Sequence, residues 1–123
     1  MATMKLKELT AYSVAVELSA FVWKIVNAWD WFNKKTLGSQ WVEATDSISA
    51  NIAERFGRFH KKDKVKFYYN ARATVYESIN WKDKASERKL ISEKENNFIS
   101  DHLDKLPKEI NNLISLTMKN LKY

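Results

Sequence analysis

The residues best suited to chemistry in this sequence lie in a polar row and in a basic run that follows it. On a helical wheel the row occupies one narrow face. It consists of Gln40, Glu43, Ser47, Asn51, Glu54 and Arg58. Glu54 and Arg58 are four residues apart, so their opposite charges can pair on a helix. Two interpretations are open: a functional row, or a solvated face whose ion pair adds little stability.

A second polar pair, Asn70 and Glu77, lies seven residues apart on one face of the next predicted helix. We expect this pair to join Asn51 and Arg58 in a polar network. A network of this kind can fix helix packing without any chemistry, and we favour that structural role over catalysis.

The basic run carries most of the chain's net charge of +6. Against the single acid Asp63, it contains Arg55, Arg58, Lys61, Lys62, Lys64 and Lys66. Aromatic residues are interleaved with these charges, for example Phe59 and Phe67. Basic side chains neutralise phosphates and aromatic rings stack on unpaired bases, so the run predicts an RNA-binding or DNA-binding site. The alternative is a solvated corner whose lysines serve solubility.

Nothing in the sequence indicates an enzyme, a metal site or another cofactor. The two histidines, His60 and His102, lack the Glu three residues earlier that di-iron bundles use. Cysteine and glycine-rich phosphate loops are absent from the sequence. We predict that His60 caps a helix and that His102 lies on the surface.

Long helices must position these residues, because the 123-residue chain has only two Gly and one Pro. The periodicity predicts helices over about Lys5 to Trp31, Gln40 to Phe59, Lys61 to Ala85 and Ser92 to Leu121. We expect breaks at residues 33–39, around Gly38, and at 86–89. Ser92 and Glu95 fit a capping box. Pro107 should kink or divide the last helix.

Four helices with short connections predict one domain, residues 1–123, folded as an all-α antiparallel up-down-up-down four-helix bundle. The second helix has an apolar face of Leu37, Trp41, Ala44, Ile48, Ile52, Phe56 and Phe59. A further face of small residues suggests contact on more than one side, including contact between subunits.

We expect a cytoplasmic protein with no membrane partner. The absence of Cys fits a reducing compartment. The most apolar run, residues 20–32, is interrupted by Lys24, Asn27 and Asp30, so we predict no membrane span. Glu8 and Glu17 interrupt any apolar region of a signal peptide.

Two blocks of the sequence resemble a known family. The stretch QWVEATDSISANIAERFGR, from Gln40 to Arg58, resembles the signature of the bacterial four-helix-bundle proteins encoded by intervening sequences in 23S rRNA genes. FYYNARATVYE, from Phe67 to Glu77, resembles the second motif of that family. The polar positions of the two motifs are Gln40, Asn51, Glu54, Arg58, Arg72 and Glu77, which the resemblance suggests form a network.

The resemblance implies a small all-α bundle that forms a homopentamer, has no catalytic residues and has an undefined cellular role. A relative, the accessory protein of diversity-generating retroelements, is a basic pentamer that binds nucleic acid and a reverse transcriptase. RNA or DNA, and a larger nucleic-acid enzyme, are therefore implied as partners. The alternative is a protein-interaction scaffold, which the five Trp and five Tyr favour.

The sequence departs from the family motifs at three positions. Arg55 stands where the family has Gly, and Ala73-Thr74 replaces Gly-Ser. Arg55 falls at the edge of the apolar face of its helix. We expect its side chain either to extend outward to water or to disturb a close contact.

Overall fold

Four long helices and one short helical turn form the part of the chain described by the computed structural model, residues 6–120. They are α1 (Leu6–Asn27), α2 (Trp31–Asn33), α3 (Ser39–Glu54), α4 (Lys61–Glu87) and α5 (Glu93–Asn120). Residues 6–120 contain no strand, so the predicted all-α class is confirmed. The predicted helix ends at Lys5 and Leu121 lie outside the described residues.

Helices α4 and α5 run in opposite directions, as in an antiparallel bundle. At the start of α4, Lys61 reaches the end of α5, where its Nζ donates to the carbonyl of Met118 (3.1 Å). At the other end of α4, Lys82 Nζ donates to Ser100 Oγ (3.2 Å) near the start of α5. Helix α1 packs on α3 and α5, and α3 packs on α4. The four long helices therefore close around a common core.

The core is built from apolar residues that recur three or four positions apart on each long helix. Its fully buried members include Ala11, Ala15, Leu18 and Val22 of α1, Trp41, Ile48 and Ile52 of α3, Tyr68, Ala71 and Val75 of α4, and Ile99, Leu106 and Ile110 of α5. The apolar face predicted for the second helix is confirmed from Leu37 to Ile52. Phe59 is exposed instead, because α3 ends at Glu54.

Helix α1 is apolar enough to be a candidate membrane span by length and composition. The window Glu8–Asn27 has a mean hydropathy of 1.4, and 33% of it is buried inside the bundle. The expectation of no such segment rested on residues 20–32 and overlooked this earlier window. Ala15, Leu18 and Val22 of this window pack in the core, whereas Leu9, Val16 and Trp23 are exposed.

The first connection differs from the prediction. The chain leaves the helical path at residues 28–30 rather than at 33–39. It is then helical from Trp31 onward, through a π-helical turn (Lys34–Gly38) into α3 and a 3-10 turn (Arg55–Gly57). Asp30 starts this segment, since its Oδ1 accepts the backbone N–H of Asn33 (2.9 Å). The cap at Asp30 was not predicted from the sequence.

Gly38 is a packing position rather than a helix breaker. A Cβ at Gly38 would lie 2.7 Å from Cγ1 of Val26 and 3.1 Å from the carbonyl oxygen of Asn33. Val26 is β-branched and buried, so it has little freedom to move aside. Gly38 thus allows the start of α3 to approach the end of α1.

The last helix confirms the predicted capping box, and of the two outcomes predicted for Pro107, a kink or a division, it excludes the division. Ser92 and Glu95 form the capping box, with Ser92 N–H donating to Glu95 Oε1 (2.8 Å) and Glu95 N–H donating to Ser92 Oγ (3.1 Å). Helix α5 continues through Pro107 and is not divided there. Leu106 and Ile110 are fully buried on either side of the proline. Core packing therefore offsets the one backbone hydrogen bond that Pro107 removes.

We expect Gly38→Ala to destabilise the bundle. Overpacking at such a contact lowers the free energy of unfolding by about 1–3 kcal/mol. Gly57→Ala is the matched control, because a Cβ there would meet nothing within 4 Å. Urea unfolding followed by circular dichroism compares the two variants. Equal stability of both would contradict a packing role for Gly38.

Candidate nucleic-acid interface

Three of the six predicted basic residues meet in one open groove at the start of α4. Lys61, Lys62 and Lys66 line it together with Val65, Tyr69, Asn70 and Met118, around a volume of about 570 Å³. Lys62 and Lys66 are four residues apart and therefore share one face of α4, and Lys61 lies beside Lys62 at the first residue of the helix. Met118 comes from the end of α5 and forms the opposite side.

The three lysines differ in what they already bind. Lys61 donates to the carbonyl of Met118 (3.1 Å), one of the last carbonyls of α5, which lack helical partners. That contact supports a structural role for Lys61. Lys62 and Lys66 are exposed and make no hydrogen bond or ion pair with any residue the structure describes. These two charges are fully available to an anionic ligand, and the Lys61 ammonium keeps two of its three N–H donors for one.

The other three basic residues lie outside the groove. Arg58 pairs with the exposed Glu54 (Nη2 to Oε1, 2.6 Å), and its guanidinium lies over the Phe67 ring. Lys64 is half-buried and does not line the groove. The basic run therefore separates into a free lysine pair and charges engaged elsewhere.

Arg55 turns inward, so the first of its two expected outcomes, extension to water, is wrong. Its Nε lies 3.0 Å from Oε2 of Glu8, and the two side chains are only 12% and 4% exposed. Tyr68 donates its hydroxyl to the same Glu8 oxygen (2.6 Å). The Arg55 Nε–H is not aligned for a hydrogen bond, so the contact with Glu8 is mainly electrostatic. A buried carboxylate, absent from the predicted sites, thus holds Arg55.

Tyr68 keeps its proton in this buried cluster. Burial, followed by the hydrogen bond to Glu8, raises the pKa of Tyr68 well above its usual range, and the charge of Arg55 opposes the rise. The phenol therefore acts as the donor and Glu8 as the acceptor. One sequence signal could have located the cluster: Glu8 continues the spacing of Ala11, Ala15 and Leu18, which are core positions.

The predicted polar network is not assembled. Among Gln40, Asn51, Glu54, Arg58, Arg72 and Glu77, the one hydrogen bond that the described residues make is Glu54–Arg58. Asn51 donates to Ser47 O within its own helix (2.8 Å). Arg72 Nη1 donates across to Asn111 Oδ1 of α5 (2.7 Å). Gln40 and Glu77 are exposed.

The two histidines play structural parts. His60 is the N-cap residue of α4, as predicted, although its side chain makes no capping hydrogen bond. His102 is buried, so its predicted surface position is wrong. Its Nδ1 lies 2.9 Å from Phe98 O and its Nε2 3.0 Å from Glu17 Oε1, because α5 packs on α1 there. No three His, Asp or Glu side chains in the described part of the chain could hold a metal ion.

A second open groove, of about 560 Å³, lies where α1 meets α3. Its lining is mostly apolar and includes Trp23, Val26, Val42, Asp46 and Ala50. Partial burial raises the pKa of Asp46 above its usual value. Trp31 and Phe32, which are exposed by 70% and 66%, belong to the same end of the bundle. Helix α3, which is 16 residues long, lies between them and the start of α4, where Lys62 and Lys66 are.

The sequence matches the family model described as 23S rRNA-intervening sequence protein over residues 7–112. This chain belongs to that family. The crystal structure of an S23 ribosomal protein family member of unknown function from Bacteroides thetaiotaomicron has the same fold, with a TM-score of 0.77 and 18% sequence identity. The match covers 89% of this chain and 99% of that chain. No curated protein matches the sequence.

Membership of the 23S rRNA-intervening sequence proteins confirms the resemblance found in the two motifs. Neither family description names a catalytic activity or a ligand. At 18% identity the solved relative shows the fold alone. Function must therefore be argued from the groove and from the exposed surfaces of this chain.

We expect Arg55→Ala to destabilise this family member much more than Arg58→Ala. Removing Arg55 leaves the Glu8 carboxylate buried without its counter-charge, which costs roughly 3–5 kcal/mol. Arg58→Ala removes an exposed i,i+4 pair and changes stability by less than about 1 kcal/mol. Urea unfolding at neutral pH measures both. Similar losses in the two variants would show that the buried pair has no special weight.

Proposed function

We propose that this 23S rRNA-intervening sequence protein is a non-enzymatic, homo-oligomeric bundle that binds RNA or DNA at the start of α4. The observation that carries the proposal is the groove in which Lys62 and Lys66 are exposed and unpaired among the described residues, beside Tyr69 and Asn70. Lysine, asparagine and tyrosine side chains can contact the phosphates, the polar base edges and the flat base faces of a nucleic acid, respectively.

The binding would be mainly electrostatic. Lysines that neutralise phosphates release condensed counterions, which favours association at low salt. The groove is open, so a polymer can enter it from solvent. Arg55 and Arg58 already have carboxylate partners, and we therefore assign phosphate contact to Lys61, Lys62 and Lys66.

Self-association is the second part of the proposal. Trp23, Trp31 and Phe32 are exposed in the single chain. Large aromatic residues are common anchors of protein interfaces, so these three are candidates for contact between subunits. The family resemblance implies a homopentamer. A closed ring would repeat the lysine groove around its axis, so that several weak contacts act on one polyanion.

We expect the triple variant Lys61→Gln, Lys62→Gln and Lys66→Gln to bind a fluorescent oligonucleotide more weakly than the unmodified chain. The slope of log K against log salt should fall in magnitude by about 2, because each lost contact with a single strand removes about 0.7. Fluorescence anisotropy over a salt series gives both quantities.

The matched control replaces the exposed α5-side lysines Lys94, Lys105 and Lys108 with Gln, which makes the same change in net charge. The control should retain most of the affinity and the slope. Equal loss in the two triple variants would mean that overall charge, not the groove, drives binding.

A protein-interaction scaffold without nucleic-acid binding is the second candidate, and the exposed Trp31 and Phe32 favour it. Both candidates predict that the pure protein scatters light as a closed assembly of several 14.4 kDa chains. The double variant Trp31→Ala and Phe32→Ala should dissociate more readily. A monomer at high concentration would contradict self-association, and an assembly that ignores RNA and DNA would favour the scaffold.

A further inference from the structure

We infer that a single-stranded nucleic acid occupies the groove and continues along α4, so that its phosphates contact Lys62 and Lys66 while its bases stack on Tyr69 and, beyond the groove, on Tyr76. This inference rests on the proposed function, because it names the form of the ligand at the same site. Its support is the exposed face of α4, which extends beyond the basic run.

Basic residues and then aromatic residues lie along that face. The exposed positions that share it on α4 are Lys62, Lys66, Tyr69, Ala73, Tyr76 and Asn80. They follow helical steps of three and four, so they form one continuous stripe. The lysines occupy its first turns, and the two tyrosines follow toward the middle of the helix.

The tyrosine rings are available for stacking. Tyr69 is 46% exposed and Tyr76 is 55% exposed, so a ligand can reach part of each ring. Ala73 lies between them and is small, so it leaves room above both rings. The two tyrosines are seven residues apart, which puts them roughly 10 Å apart along the helix axis.

Tyr69 is also held in place. The Arg72 guanidinium lies 4.9 Å from the centre of the Tyr69 ring. Asn111 of α5 fixes Arg72 in turn, since its Oδ1 accepts from Arg72 Nη1 at 2.7 Å. One side of the ring is thus supported by a fixed cation, and a base can stack on the exposed part. A side chain ordered before binding loses less entropy on binding.

The stripe fits a single strand better than a duplex. In a duplex the base faces are already stacked on each other, so exposed tyrosines can meet only sugars and phosphates. In a single strand every base has a free face, and stacking on aromatic side chains is tolerant of sequence. Glu77 borders the stripe beside Tyr76. Its negative charge keeps phosphates toward the lysines and favours bases over the tyrosines.

The test compares a fluorescent single strand of about 12 nucleotides with a duplex of the same sequence, using the full chain and fluorescence anisotropy. The unmodified protein should bind the single strand more tightly. Tyr69→Ala should weaken single-strand binding about 5- to 150-fold, the range measured for loss of one stacked base. The salt slope should not change, because no phosphate contact is lost.

Two further variants sharpen the comparison. Tyr69→Phe keeps the ring and should retain the affinity, whereas Tyr76→Ala should weaken single-strand binding independently. Duplex binding should be the same in all three variants. Because both tyrosines are exposed, circular dichroism should show the same helical content in every variant.

The outcomes separate the two proposals. If the unmodified protein binds neither the single strand nor the duplex at low salt, the proposed function itself fails. If it binds the duplex as tightly as the single strand, or if Tyr69→Ala leaves single-strand affinity unchanged, the inference fails while nucleic-acid binding stands.

Discussion

The buried contact among Glu8, Arg55 and Tyr68 is the constraint on which the proposed site depends. Two charges removed from water must stay together, because either one alone in the interior is costly. The contact joins the start of α1, the end of α3 and the second turn of α4. It therefore fixes the corner from which α4 begins, and with it the direction in which Lys62 and Lys66 face. Arg55 belongs to the basic run in sequence, but it lies beneath the basic surface and helps to hold α4 in place.

The bundle presents different surfaces at its two ends. The end with the start of α4 carries the lysine groove, and the opposite end carries Trp31 and Phe32. Near that opposite end, Trp29 is held by the bond from its Nε1 to Leu90 O (3.0 Å) and stacks on Trp41. Trp31 and Phe32 therefore follow shortly after a residue that is fixed by a hydrogen bond and by ring stacking. Separate ends allow self-association and binding of an anionic polymer without competition for one surface.

Local and periodic features could be read from the sequence, and long-range partners could not. The capping box at Ser92 and Glu95, the core positions of α3 and the concentration of lysines after His60 depend on residues a few positions apart. The inward turn of Arg55 depends on Glu8, and the burial of His102 depends on the packing of α5 against α1. Both depend on residues that lie far away in sequence. The first break was misplaced because Gly38 serves close packing, whereas Asp30 supplies the cap. Pro107 is tolerated because Leu106 and Ile110 hold α5 on the core. The residues of the polar row share a helix face but have no common partner. Their spacing alone therefore wrongly predicted a polar network.

Ultraviolet cross-linking of the full chain to a single-stranded oligonucleotide, followed by mass spectrometry, tests the central claim most directly. It locates the contact on the chain without any substitution. At low salt the cross-linked peptides should fall between Lys61 and Glu77, and the yield should drop steeply as salt is raised. Cross-links confined to the end with Trp31 and Phe32, or none at low salt, would contradict the assignment of the groove.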